Sequence, residues 1–199
     1  IIQQVEQCAS RGKQKESKIL ELGCGTGNIS IPLASLGYNV TAMDIDAESV
    51  RYAKSKNPFP SCTFLVGDAQ TVNFAGRFDV IICSELLEHL QKPEVMVGIM
   101  AQNLREDGLL VVTIPNGYGP YQIGEMGLRL LQKLLKKTRI WSIGRRYARA
   151  PQAKTSLNVG IGSEHVQFFT LRKFRNIVGQ FNLEIVRIRH STFISGMFP

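Results

Sequence analysis

"ILELGCGTGNIS", residues 19–30, runs a short apolar strand into Gly-Cys-Gly-Thr-Gly and then into a helix. A loop of small residues before a helix lets backbone N–H groups approach an anionic group without side-chain obstruction, with help from the helix dipole. Dinucleotide binders use G-x-G-x-x-G, whose third glycine lets the helix pack closely on the strand. Here the glycines fall at Gly23, Gly25 and Gly27, and Asn28 stands where that third glycine would be. Glu21 precedes the first glycine by two positions. A carboxylate there repels a pyrophosphate but suits a cationic group such as an ammonium. The pattern argues against a nicotinamide oxidoreductase and leaves a tight, ligand-free turn as the plainer alternative.

Outward from this loop, strand and helix patterns alternate. "KILELG" (18–23) reads as a strand, "NISIPLASLG" (28–37) as a helix ending at Gly37, and "YNVTAMDID" (38–46) as a second strand. "AESVRYAKSK" (47–56) reads as a helix, and "CTFLVGD" (62–68) and "RFDVIICS" (77–84) as the third and fourth strands. A helix over 93–108, stopped by Asp107-Gly108, leads to the strand "LLVVTIPN" (109–116). A helix over 170–181 and the strand "LEIVRIRH" (183–190) close the pattern. Such alternation requires crossovers, and so predicts an α/β fold: a Rossmann-like, doubly wound, mostly parallel sheet of seven strands with helices on both faces. Ligands of such sheets bind outside the carboxyl ends of the strands. The glycine loop, Asp44, Asp68, and Ser84 with Glu85 all fall at those ends.

With 199 residues, 44% of them hydrophobic, the chain is long enough for one core, and we read residues 1–199 as a single domain. It contains no fixed-period repeat and no apolar run long enough to span a bilayer. The opening "IIQQVEQCAS" lacks the basic start and apolar stretch of a signal peptide. Cys8, Cys24, Cys62 and Cys83 stand far apart with no C-x-x-C pair, so reduced thiols and a cytoplasmic location are expected.

E-x-G-x-G-x-G after the first strand, Asp44 closing the second in "AMDID", "GDA" closing the third and "FDVIICSELLEHL" for the fourth together resemble a class I S-adenosylmethionine-dependent methyltransferase. The resemblance implies that Gly23, Gly25 and Gly27, with Cys24 between them, make room for the methionine part of that cofactor, with Glu21 near its ammonium. It implies that Asp44 accepts hydrogen bonds from both ribose hydroxyls, that Ile45 packs on the adenine, and that Asp68 and the Ala69 backbone read its amino edge. Asp46 is the better candidate for capping the following helix. Cys83 would contribute its backbone carbonyl, its side chain belonging to the core.

Methyl transfer from a sulfonium is an in-line displacement that depends on alignment in a dry pocket, with a base needed when the acceptor has a proton to lose. "SELLEHL" (84–90) supplies the candidates. Were this stretch helical, Glu85, Glu88 and His89 would share one face. E-x-x-E-H resembles two branches in which it binds a divalent metal, the ubiquinone-pathway O-methyltransferases and the small-RNA 3′-terminal 2′-O-methyltransferases. In the second branch a later His completes the site, and "EHVQFFTLRKF" supplies His165 in similar surroundings. Small-molecule methyltransferases also carry "EHL" without a known metal, so our reading takes His89, Glu85 and His165 as catalytic and assigns no metal.

Residues 115–163 read as an insertion after the fifth strand, a cap or lid for substrate recognition. The charge excess of +8 lies here: Arg129, Lys133, Lys136, Lys137, Arg139, Arg145, Arg146, Arg149 and Lys154 fall between Glu125 and Glu164 with no acid among them. "LRLLQKLLKK" (128–137) sets a leucine stripe against a basic face, which suits an anionic membrane surface, an acidic partner, or simply a solvated cap. "RRYAR" (145–149) also admits nucleic acid. The leading reading is O-methylation of a small or lipid-linked acceptor. Beside it stand an RNA 2′-O-methyltransferase and a non-catalytic domain that binds the cofactor and recruits a partner.

Overall fold

In the computed structural model, which describes residues 1–9, 16–72, 74, 76–115 and 169–189, the apolar runs become five strands: β1 (Lys18–Leu22), β2 (Asn39–Asp44), β3 (Cys62–Val66), β4 (Phe78–Ser84) and β5 (Leu104–Thr113). All pair in parallel, in the order β3-β2-β1-β4-β5. Helices α1 (Ile2–Ala9), α2 (Ser30–Ser35), α3 (Ala47–Lys56), α4 (Pro93–Asn103) and α5 (Leu171–Val178) accompany them.

Successive strand residues point to opposite faces, and the core divides accordingly. Ile19, Val40, Ala42, Val80 and Ile82 pack with Val5, Leu33, Val50 and Ala53, on the side of α1, α2 and α3. Leu20, Leu22, Met43, Ile81 and Cys83 pack with Met96, Val97, Met100 and Ile177, on the side of α4 and α5. Burial on both faces explains why β1 and β4 read as nearly continuous apolar runs. Each fully buried Leu or Ile contributes about 1.5–3 kcal/mol relative to exposure. Local signals fix the helix starts. Asp46 accepts from the N–H groups of Glu48 and Ser49 at the start of α3, as its sequence position suggested. Thr170 Oγ1 accepts from Lys173 N at the start of α5.

Three expectations change. The described residues form five strands rather than seven. Residues 183–189 form none of them, because alternation marks a segment that can join a sheet, whereas a strand exists only where a partner ladder runs beside it. The helix read over 93–108 ends at Asn103, and β5 begins at Leu104. Leu104 is held in the core and Arg105 pairs with Asp79 of β4 at 2.6 Å, which draws this segment alongside β4. The three extra residues of β5 are taken up by a register shift between the pairs Phe78–Leu104 and Val80–Leu109. The inserted cap, beyond residue 115, lies outside the described residues.

Going out from β1, the chain lays β2 and then β3 on one side and returns to place β4 and β5 on the other. The order therefore reverses between β1 and β4. A crevice opens there, at the carboxyl ends.

Candidate active site

The glycine loop is fastened to the end of β2. Gly23 N and Cys24 N both donate to Met43 O, at 2.9 and 3.0 Å. Gly25 N donates to Asp44 Oδ2 at 2.7 Å, and Asp46 N donates to Asp44 Oδ1 at 2.9 Å. One carboxylate thus joins the loop, the end of β2 and the start of α3. Gly27 has φ +80°, and a Cβ there would lie 2.8 Å from Phe64 Cζ, so the loop follows this path only without a side chain at 27. A Cβ on Gly25, at φ +48°, would meet nothing within 4 Å among the described atoms, which leaves the loop open to a ligand on that side.

Gly23, Asp44, Ile45, Asp68 and Ala69, chosen from motifs at the ends of three different strands, line one cleft. Ile45, an apolar side chain lining the cleft, stands 72% exposed. Asp68 Oδ1 accepts from Gln70 N at 2.9 Å, which turns the chain at the end of β3. The far wall is apolar: Leu86, Leu90 and Met96. Sequence reasoning missed these three. For Leu86 and Leu90 the apolar letters of "SELLEHL" are the available signal, but only Glu85, Glu88 and His89 of that stretch are read as site residues.

Glu21 lies beneath the loop rather than in the cleft. It is 2% exposed and accepts a hydrogen bond from Ser30 Oγ of α2. Burial pushes its carboxyl up to about 7; the Ser30 hydrogen bonds oppose the shift and neighbouring Asp44 adds to it. Cys24 and Cys83 are core side chains. Burial raises the Cys24 thiol well beyond the usual thiol range, with the carboxylates of Glu21 and Asp44 adding to it, and raises that of Cys83 to about 12, so neither is a nucleophile at neutral pH. Cys83 is wholly buried between β1 and β5 and does not line the cleft.

The shared helical face of Glu85, Glu88 and His89 does not form. Glu85 adopts φ +51°, outside the right-handed helical region, and only Leu87–His89 make a single 3₁₀ turn. Lys92 precedes Pro93, the first residue of α4, and a residue before proline is driven out of helical geometry, so no helix can run from 85 into α4. Leu87 is fully buried and carries Glu88, 1% exposed, inward with it. The exposed Glu85 accepts instead from Thr113 Oγ1 at 2.9 Å. Neither Glu88 carboxylate oxygen has a hydrogen-bond partner among the described residues, and His89 Nε2 stands 3.9 Å from Oε1. Burial pushes the Glu88 carboxyl up to about 7, and Glu85 nearby adds to the shift. Among the described residues, no three His, Cys, Asp or Glu side chains are gathered so as to hold a metal ion. These residues do not by themselves fit one, and His165 lies outside the described residues. A second, more open hollow, lined by Arg77, Asp79 and Arg105, sits at the amino ends of β4 and β5, far from every predicted site residue.

A family model described as a methyltransferase domain matches residues 1–188. The chain is 32% identical over 129 residues to the ubiquinone biosynthesis O-methyltransferase of Glaesserella parasuis serovar 5 (strain SH0165), covering 60% of this chain and 55% of that one. It is 28% identical over 138 residues to the protein of the same name from Xanthomonas axonopodis pv. citri (strain 306), covering 67% and 58%. The chain thus spans only about half the length of these curated relatives. Magnesium protoporphyrin IX methyltransferase from Synechocystis PCC 6803, solved with bound SAH, superposes with a TM-score of 0.62 at 22% identity, covering 94% of this chain and 73% of that one. That likeness is one of fold.

Proposed function

Since the chain belongs to the methyltransferase family whose domain model spans nearly all of it, we propose that it transfers the methyl group of S-adenosylmethionine to a hydroxyl of a small or lipid-linked acceptor. One observation carries this reading: Gly23, Asp44, Ile45, Asp68 and Ala69 line a single cleft at the reversal of strand order. The relatives named for O-methylation support oxygen as the acceptor atom.

The residues fit the cofactor. Each Asp44 oxygen accepts one backbone N–H and keeps a lone pair, as two adjacent ribose hydroxyls require. Exposed Ile45 offers an apolar face to a flat base. The open side of Gly25 admits a ligand close to the backbone. Glu21, one layer below, favours a cationic group above the loop, which in turn favours its ionised form. When bound, S-adenosylmethionine supplies a sulfonium methyl for in-line displacement. Leu86, Leu90 and Met96 exclude water from the cleft. In this proposal His89 takes the acceptor proton, with Glu88 beside its Nε2, while Glu85 and His165 complete the acceptor side.

Titration calorimetry is expected to show micromolar binding of S-adenosylmethionine and S-adenosylhomocysteine and none of NAD. Binding of NAD with no response to either sulfur compound would overturn the assignment.

The same proposal treats residues 1–199 as one domain with 115–163 as its cap, working in the cytoplasm with the basic stretch 129–154 against an anionic membrane surface. No described helix is long and apolar enough to cross a membrane. Basic residues near an anionic bilayer contribute about 1 kcal/mol each. Co-sedimentation with anionic but not neutral liposomes, lost on replacing Lys133, Lys136 and Lys137 by Glu, is the expected result; indifference to anionic liposomes at low salt would remove this part.

A further inference from the structure

Next to Leu86 of the cleft wall, a chain of hydrogen bonds ties two strand ends together. Ser84 and Thr113 are register partners across β4 and β5, and their hydroxyl oxygens lie 2.8 Å apart. Thr113 Oγ1 donates its single hydrogen to Glu85 Oε1 at 2.9 Å. Ser84 Oγ must therefore be the donor of the first bond, and the chain runs Ser84 to Thr113 to Glu85. Glu85 N closes it by donating to Thr113 O at 3.0 Å. Glu85 is held at φ +51°, a region that non-glycine residues avoid unless their surroundings impose it. The next residue, Leu86, lies over the glycine loop: a Cβ on Gly23 would be 3.3 Å from both Leu86 Cδ atoms. A glycine at 85 would take this backbone unaided. A glutamate there needs a hold, and the Thr113 hydroxyl is that hold.

We propose that Thr113 is a positioning residue of the cofactor cleft: its hydroxyl, between Ser84 and Glu85, fixes the left-handed turn that lays Leu86 over Gly23. The inference rests on the cleft being the cofactor site, and it links the end of β5 to a ligand that β5 itself need not touch.

The test uses S-adenosylhomocysteine as probe, titrated into the full chain. Thr113→Val keeps the shape of the side chain and is expected to weaken binding about five- to tenfold, since a hydrogen bond to a charged group is lost. Thr113→Ser restores wild-type affinity. In a Glu85→Gly background, where the backbone needs no hold, Thr113→Val has little further effect. Amide exchange over residues 84–90 quickens in Thr113→Val and not in Thr113→Ser. Should Thr113→Val unfold the chain, Glu85→Ala removes the same bond from its other end and must show the same loss. Wild-type binding that Thr113→Val leaves unchanged, or a loss as large in the Glu85→Gly background, overturns the inference alone. A wild-type chain that binds no S-adenosylhomocysteine overturns the cofactor reading and this inference with it.

Discussion

The two ends of the sheet handle charge in opposite ways. At the amino ends, Asp79 accepts from Lys18 N at 2.8 Å and from Arg105 Nη1 at 2.6 Å, so both of its oxygens are engaged and the acid faces a permanent cation. At the carboxyl ends the acids meet backbone N–H groups, hydroxyls and one another. Glu21 and Glu88 are buried there and both pushed up to about 7. The amino end has what a fold needs and nothing more. The carboxyl end keeps buried carboxyls without a described Lys or Arg partner, an arrangement that costs stability and marks the end shaped for a ligand.

The sharpest way to break this contrast is through the loop that shapes the ligand end. Gly27→Ala places a methyl group against Phe64 at a backbone angle that alanine resists, and is expected to cost about 3 kcal/mol, or about 6–12 °C in melting temperature by differential scanning fluorimetry. An unchanged melting temperature would mean that the loop does not pack as described. A paired substitution compares the ends directly. Asp44→Ala is expected to weaken S-adenosylhomocysteine binding about tenfold or more, whereas Asp79→Ala, which also removes two accepted bonds, lowers stability by about 1 kcal/mol and leaves that affinity alone. Equal loss of affinity in both would erase the distinction.

The smallest effect sharpens the comparison through pH. A carboxyl raised from 4.5 to about 7 keeps its proton in the folded state over a range where the unfolded chain has released it, so the folded state binds more protons between those values. Stability from this group is therefore greatest below the unfolded value, falls as pH rises through the window and is flat above it. Glu21→Gln is expected to match wild type near about pH 4 and to exceed it above neutrality in urea unfolding. Glu88 titrates over the same window, so part of the slope persists in the variant. A variant no more stable than wild type at about pH 8 would show that folding does not raise the Glu21 carboxyl above its unfolded value.

Much of this was legible from residues 19–84, where each motif marks the end of a strand and strand ends follow from local pattern. Gly23, Asp44, Ile45, Asp68 and Ala69 share a cleft because a parallel sheet brings its carboxyl ends together, whatever lies between them in the chain. Asp46 was readable as a cap because capping is local. The face shared by Glu85, Glu88 and His89 rests on helical spacing, which Pro93 and the burial of Leu87 forbid here, while Leu86 and Leu90 of the same stretch form cleft wall. Asp107-Gly108 has the pattern of a helix stop, but the ion pair between Arg105 and Asp79 and the burial of Leu104 start the strand earlier, and no local pattern announces a contact across 26 residues.

The strand order has a consequence in time as well as space. β1, β2 and β3 are neighbours in sequence and in the sheet, so they can zip together through short crossovers. β4 must come back to the other flank of β1, and the bond from Lys18 N to Asp79 closes a span of 61 residues. Chain entropy makes that closure the slower one. An incomplete chain ending near residue 70 would already own the glycine loop and Asp44, yet would lack the wall of Leu86, Leu90 and Met96. During synthesis, the cleft comes into being only when its second flank arrives.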